Sequence, residues 1–541
     1  MLPAQAHPRS DACGDGAAYP AVHDVEKDGE QQSTGDKTAI HTQEKKGSGV
    51  VRFSQSVWRR LAAWGVEVRG VVPIAVEDRT DKRFDASFDV EWLLFRRQQT
   101  PRGADWTTEF LLLAGNRVVT GMVGTLSLNL SLRDASLVIV FFNALCTAPP
   151  AYLSILGPKT GLRQMIQARY SFGSAKRPPL PPDNHRTNPR CSLYIASIVV
   201  LLNLATVSGF TIIDCVIGGQ TLSALNSNVS VNVGIVTVAV LSLVISFFGY
   251  RVLHQYERYG WIPILAGIVI ATGCGGRHLS RQVEARPASA PAVLSFGGLI
   301  AGYLGDDGSK RIFTSVYLGL FVPTVPLMVL GAAIGGAVPN VPAWAAAYAT
   351  GSVGGIFAAM LTGSAGGFGA FVTVLLAFST LGNIAATIYA ITLNFQILLP
   401  VLARVPRALF ALVFVAIIVP VAVRAASSFV AALENFVGVI AYWSAAFFAI
   451  VAVEHVVFRR KRYESYDHAI WNDAAALPSG WSALAAAVLA LALAVPCMSQ
   501  NWFVGPVART TGDIGFEVAM VASALLYGVL RGIEVKVKGG L

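Results

Sequence analysis

The sequence predicts an all-α polytopic membrane protein of about twelve transmembrane helices, and three observations carry that prediction. Only 14% of its 541 residues are charged and 54% are hydrophobic, whereas an ordinary soluble domain is about 25% charged. Apolar runs of about 18 residues or more recur along the chain, the length that crosses a bilayer core as a helix, and mean hydropathy is +0.55. Glycine is abundant, at 51 residues, as in helices whose backbones approach closely in lipid.

Hydropathy places the spans near 107–128, 135–157, 193–219, 232–250, 260–275, 291–305, 312–338, 366–396, 407–426, 435–458, 481–498 and 515–533. Residues 1–105 before them are polar, rich in Gly, Asp, Glu and Lys, and read as a cytosolic, largely disordered tail. Its first twenty residues lack an apolar core of the signal-peptide kind. An even number of spans puts both ends on one side. The loops after even-numbered spans carry Lys159, Arg163, Arg169, Lys176, Arg177, Arg186 and Arg190, then Arg404 and Arg407, then Arg459, Arg460, Lys461 and Arg462. The opposite loops are poor apart from Arg277, Arg281 and Arg286, so both termini are expected in the cytosol.

The same distribution accounts for the net charge of +10. No basic, aromatic-studded soluble domain is present to grip a polynucleotide, so a nucleic-acid partner is not expected. The cysteines (Cys13, Cys146, Cys191, Cys215, Cys274 and Cys497) are scattered, with neither a disulfide framework nor metal-ligand spacing. The eight histidines are dispersed, and Glu454–His455 closes the tenth span without a matching motif. An enzyme, a metal or a cofactor is therefore not expected. The strings "GCGGRH" and "GSAGGFG" follow no strand and end in no Gly-Lys-Ser/Thr, so they are not phosphate loops.

Two spans are irregular. The first carries Glu109, Arg117 and a Thr120–Gly121–Met122–Val123–Gly124 break; the sixth, "PAVLSFGGLIAGYLG", is short and glycine-rich. Interrupted spans at matching positions of two halves are the signature of an inverted-repeat transporter with its site at the breaks. This gives a first repeat over 106–275 (helices 1–5) and a second over 276–458 (helices 6–10). Helices 11 and 12 and a short cytosolic end follow over 459–541. The same glycines, Gly298 and Gly302, would alternatively make a GxxxG packing face; the positional match favours transport.

The third span, "GFTIIDCVIGG", holds Asp214. An ionised Asp at the bilayer centre costs roughly 2.5–3.5 kcal/mol on insertion scales, so it must face a cavity or a partner. At about 100° per residue, Asn203, Phe210 and Asp214 fall within roughly 40° of one another, with Thr206 flanking. An aromatic one turn from a hydrogen-bonding carboxylate suits a flat, polar, neutral ligand, one group stacking and the other reading an edge. The competing reading is an Asp tied to a neighbouring helix. In the eighth span, Ser379, Asn383, Thr387 and Asn394 share a face, more like a cavity wall than the single Asn of interhelical glue. Glu257 lies among Arg251, His254 and Arg258 before the fifth span and reads equally as an interfacial ion pair or a proton-carrying group.

The stretches "RTDKRF" (79–84), "FNALCTAPPAYLSILGPKTGLRQM" (142–165), "GFTIIDCVIGGQTLSALN" (209–226), "FFGYRVLHQYERYGW" (247–261) and "LGNIAATIYAITLNFQ" (381–396) resemble fungal purine–cytosine permeases of the nucleobase–cation symporter family. The resemblance covers most of 120–535. It implies a five-plus-five inverted repeat of LeuT-like, amino acid–polyamine–organocation type plus two C-terminal helices. It also implies import of purine bases or cytosine (the adenine, guanine, hypoxanthine, cytosine class) with protons, at the plasma membrane. By the same resemblance Phe210, Asp214 and Asn383 are candidate substrate-binding residues and Glu257 the coupling or gating residue; Thr387, on the same face as Asn383, completes the candidate substrate-binding set.

This chain departs from the family pattern at several points. Phe210 stands where the family usually has Trp. Asp214 replaces an amide, and Asn383 is the survivor of an Asn pair whose following Pro is Ala386 here. The segment "DASFDVEWLLFRRQQTPRGADWTTEF" intervenes before the first span, "YLGDDGSKRIF" crosses directly from the sixth span to the seventh, and "SAKRPPLPPDNHRTNPR" lengthens the loop before the third. These departures support a competing reading: a transport-dead or degenerate member, acting as a sensor or arising from a mispredicted gene.

Overall fold

The computed structural model describes residues 117–174, 195–226, 228–247, 250–283, 289–303, 310–350, 353–398, 402, 405, 407–473 and 476–538, all within one compact unit, Arg59–Leu541. The tail and the first half of the first span lie outside the described residues.

Thirteen helices carry the architecture: α1 (117–126), α2 (Leu132–Cys146), α3 (Ala196–Ser223), α4 (Val231–Phe247), α5 (Tyr250–Leu279), α6 (Ala290–Tyr303), α7 (Lys310–Ala337), α8 (Val353–Phe378), α9 (Thr380–Leu398), α10 (Arg407–Ala425), α11 (Phe429–Val453), α12 (Trp481–Ala494) and α13 (Gly515–Lys538). Short helices fill the connections. Among the described residues one two-stranded ribbon is present, pairing Ser499–Gln500 with Phe503–Val504. Among the described residues, seven apolar segments are long enough to cross a membrane, and two shorter ones, Val231–Phe247 and Trp481–Cys497, accompany them. The segment Arg407–Phe458 has 52 residues, about 78 Å of helix at 1.5 Å per residue. That exceeds two hydrocarbon cores of about 30 Å, and the 3₁₀ turn Ala426–Ser428 divides it into two crossings.

Burial is inverted relative to a soluble protein, as a lipid solvent requires. Phe141, Val269, Phe371, Leu525 and Val529 are exposed around the outside, while Asn203, Asp214, Asn394 and Glu454 are buried. Lipid rewards no polar surface, so the hydrogen-bonding side chains turn inward. One apolar core surrounds α3 and α9; a second forms where Phe142 of α2 meets Phe296 of α6 and Met328 of α7. α3 is the central element, packed against α4, α8, α9, α10 and α11.

Several expectations are corrected in detail. Residues 120–124 do not break the chain: 117–126 is continuous helix. The glycine there serves close packing instead. A Cβ at Gly121 would collide with the Met328 carbonyl, and one at Gly331 with the Val118 carbonyl, so α1 and α7 touch backbone to backbone. The second span is not one helix, because Pro149 and Pro150 begin a separate turn, Ala148–Leu153. The eighth span is divided once, at Ser379 between α8 and α9. Gly366 (φ 52°, ψ −128°), the first residue of that span, interrupts α8 with a conformation that favours glycine.

Candidate functional site

α3 and α9 run antiparallel, and their polar residues meet in register. The Asn383 amide nitrogen donates to an Asp214 carboxylate oxygen. One turn along, the Thr211 and Thr387 hydroxyls are 2.9 Å apart; Thr387 also donates to the Ile384 carbonyl, 2.9 Å away. Asp214 is 1% exposed, and from Leu381 to Asn394 every residue of α9 is buried except Asn383. The pair therefore sits in the core, Asp214 buried and Asn383 half-buried. Four of the five residues singled out in the sequence occupy this neighbourhood; the fifth, Glu257, lies on α5 with its side chain outside the described residues.

The stripe on α3 is shared between two partners. Asp214 and Thr211 face α9. Phe210 instead meets Phe436 of α11 edge to face, with centroids 5.5 Å apart and planes at 80°, and a Cβ at Gly209 would enter the same Phe436 ring. Thr206 accepts from the Trp443 indole nitrogen of α11 at 3.0 Å. Thr211, Phe436 and Trp443 escaped the sequence reading. Thr211 lies about 60° from Asp214 on a helical wheel, so the stripe arithmetic could have included it. Nothing local marks Phe436 or Trp443.

Of the other predicted wall residues, Ser379 donates to the Leu376 carbonyl at 2.7 Å. It lines a cavity of about 40 Å³ with Val118, Ile217, Thr221 and Phe357. At roughly 10–15 Å³ per water, that space holds a few waters; Phe210, Asp214, Asn383 and Thr387 do not line it. Asn394 is fully buried, and neither its amide nitrogen nor its carbonyl oxygen has a hydrogen-bond partner among the described residues.

The ends of the helices are fixed by polar clusters. Arg169, in the connection before α3, donates to the Ile397 carbonyl at 2.7 Å and to the Asn472 side chain at 3.0 Å, capping the last turn of α9 where cations are favoured. Nearby, Glu454 is fully buried. It accepts from Arg459 at 3.1 Å, Arg531 at 3.3 Å and the Tyr527 hydroxyl at 2.8 Å, so the residue that lacked a partner motif in sequence has three partners in space. Burial pushes the neighbouring Tyr170 phenol up to about 12, which keeps it a neutral donor to the Asp467 carbonyl at 2.5 Å. At the other face, Asp513 accepts from the Tyr442 hydroxyl and from the backbone N–H of Ser499 (2.9 Å) and Gly515 (3.0 Å).

Among the described residues no three His, Cys, Asp or Glu side chains gather as a metal site. The arrangement offers hydrogen bonding and aromatic surface inside a helical bundle, which is the equipment of a binding site.

Comparison with known proteins agrees with that character. Residues 105–177 and 306–519 match the family described as permease for cytosine/purines, uracil, thiamine, allantoin; Asn383 and Thr387 fall inside the second segment, and Phe210, Asp214 and Glu257 fall between the two. The purine-cytosine permease fcyB of Emericella nidulans is 31% identical, over 89% of this chain and 91% of that protein. The purine-cytosine permease FCY21 of Saccharomyces cerevisiae is 28% identical, over 91% of each. The vitamin B6 transporter TPN1 of the same yeast is 25% identical, over 88% of this chain and 89% of that protein. Among solved structures, Mhp1, a nucleobase-cation-symport-1 family transporter with bromovinylhydantoin bound, superposes with a TM-score of 0.55 at 13% identity, covering 81% of this chain and 94% of Mhp1. The fold is therefore that of Mhp1, the expected five-plus-five helical architecture. The chain is an integral membrane protein that belongs to the cytosine/purine permease family.

Proposed function

We propose that this chain imports purine bases and/or cytosine across a membrane by proton symport. Phe210 supplies an aromatic surface for the base, Asp214 and Asn383 read its edge, Thr387 supports them, and Glu257 serves coupling or gating. The observation that carries the reading is the Asp214–Asn383 hydrogen bond: two polar side chains, 169 positions apart in sequence, meet inside an apolar bundle, where isolated polar groups are costly. The names of the relatives support a nucleobase as cargo. In this reading the repeats span 106–275 and 276–458, residues 1–105 and the C-terminus are cytosolic, and the address is the plasma membrane.

The test is uptake of labelled adenine, hypoxanthine and cytosine at pH 5 and pH 7 in cells lacking their own nucleobase transporters, with surface expression measured in parallel. Saturable uptake stimulated by acid supports the reading. Good surface expression with no uptake of any base rejects it in favour of a transport-dead member, and uptake of pyridoxine alone redirects it toward the activity named for the yeast vitamin B6 relative.

A further inference from the structure

The polarity of the site is set by which end of the Asn383 amide faces the ligand. An amide side chain has a donor end and an acceptor end, and in a polar pocket either can point inward. Here one end is spoken for. Asp214 as a carboxylate carries acceptors only, and the Asn383 nitrogen donates to it. The amide cannot turn round without placing its oxygen against a carboxylate oxygen. The Asn383 carbonyl oxygen is therefore the end left for a ligand, and Asn383 is the one residue of Leu381–Asn394 that is not buried. Beside it lies the carboxylate itself. With about four lone-pair positions, a carboxylate accepts from a ligand while it accepts from Asn383.

Resting on the nucleobase reading above, we propose that Asp214 and Asn383 select bases presenting adjacent N–H donors and disfavour bases whose edge alternates donor and acceptor. Guanine offers a ring N–H next to an exocyclic amino group, and both donors meet acceptors. Hypoxanthine offers the ring N–H alone. Adenine and neutral cytosine place a ring-nitrogen lone pair beside their amino group, and that lone pair meets an oxygen. Leaving a buried polar group opposed in this way discriminates more strongly than adding or removing a methylene. The order is guanine, then hypoxanthine, then adenine and cytosine. Asp214 is thus a specificity-determining residue twice over, as an acceptor itself and as the group that orients Asn383.

The experiment measures competition by unlabelled guanine, hypoxanthine, adenine and cytosine against labelled guanine and labelled adenine at pH 7, for the natural chain and for Asp214→Asn. The same four bases are compared as thermal stabilisers of the detergent-purified proteins, so that a variant that binds without transporting is still read. The natural chain is expected to favour guanine over adenine and cytosine at least tenfold. In Asp214→Asn the partner has a donor and an acceptor of its own, Asn383 is free to turn, and the ratio is expected to fall at least fivefold. Asn383→Ala, which keeps the carboxylate, is expected to lower the ratio to an intermediate value. Adenine or cytosine competing as well as guanine in the natural chain overturns the inference while leaving the nucleobase reading intact. So does an unchanged ratio in Asp214→Asn. No base entering or stabilising the natural chain overturns both.

Discussion

Glu454 and Arg531 lie 77 positions apart in sequence and meet at 3.3 Å, fully buried and 3% exposed respectively. Arg459 approaches the other carboxylate oxygen at 3.1 Å, and Glu534 takes a second nitrogen of Arg531 at 3.0 Å. Lys538 pairs with the other oxygen of Glu534, and the cluster ties the end of α11 to α13. Removing one member of such a group strands the others without water, at a cost of about 3–5 kcal/mol. Glu454→Ala is expected to lose surface expression and to lower the melting temperature of the purified protein, while Glu454→Gln, which keeps an acceptor for Tyr527, loses less. Equal melting temperatures for Glu454→Ala and the natural chain would show that the cluster is not a fastening.

Asp214 is expected to be indispensable to uptake. Asp214→Ala removes the acceptor for the Asn383 amide and is expected to abolish nucleobase transport with surface expression retained, since deleting a buried carboxylate relieves the burial of its charge. Uptake of labelled base beside surface biotinylation checks this. Retained uptake moves the role elsewhere.

The Thr211–Thr387 contact, at 2.9 Å, is a weaker matter. Thr387 donates its own hydrogen to the Ile384 carbonyl, and the single hydrogen of Thr211, given to Thr387 here, has the Val207 carbonyl as an alternative acceptor at 2.9 Å, so little is stranded when one partner is lost. Interhelical hydrogen bonds in membranes average about 0.6 kcal/mol by double-mutant cycle. Thr211→Val, Thr387→Val and the double variant are expected to show a coupling of that order in unfolding measurements. A coupling above about 2 kcal/mol would assign the pair a larger structural role.

Close packing of α1 on α7 predicts intolerance at Gly331. The added Cβ of Gly331→Ala meets the Val118 backbone carbonyl, which has no rotamer with which to yield, so overpacking of about 1–3 kcal/mol is expected. Gly363→Ala, where a Cβ meets open space, is the control. Similar melting temperatures for both variants would contradict the backbone contact.

Asp513 predicts a pH dependence whose sign is fixed by its surroundings. Burial raises its pKa, and its hydrogen bonds from Tyr442, Ser499, Gly515 and Gln500 only partly oppose that. The folded chain then holds this proton to a higher pH than the unfolded chain, whose carboxyl titrates near 3.9. Its contribution to stability is fully present below the unfolded value and is lost as pH rises through the folded value. Asp513→Asn is expected to flatten that part of the melting profile. A slope left unchanged in the variant would place the titrating group elsewhere.

The sequence by itself determined what depends on near neighbours along the chain. A span is legible because about 18 apolar residues in a row leave water wherever they are in the fold. The stripe of Phe210 and Asp214 is legible because 3.6 residues per turn is a local rule, and it holds: both are buried, as are Asn203 and Thr206. Tertiary structure decided which stripe meets which. That Asp214 pairs with Asn383, and Phe210 with Phe436, depends on the antiparallel register of helices brought together from distant parts of the chain. Glu454 looked solitary because Arg531 is 77 positions away. Gly121 looked like a break because a sequence cannot show that another backbone lies against it. Periodicity is a property of one helix, whereas a hydrogen bond between helices is a property of two. Only packing, driven by contact and by the expulsion of polar groups from lipid, selects the second.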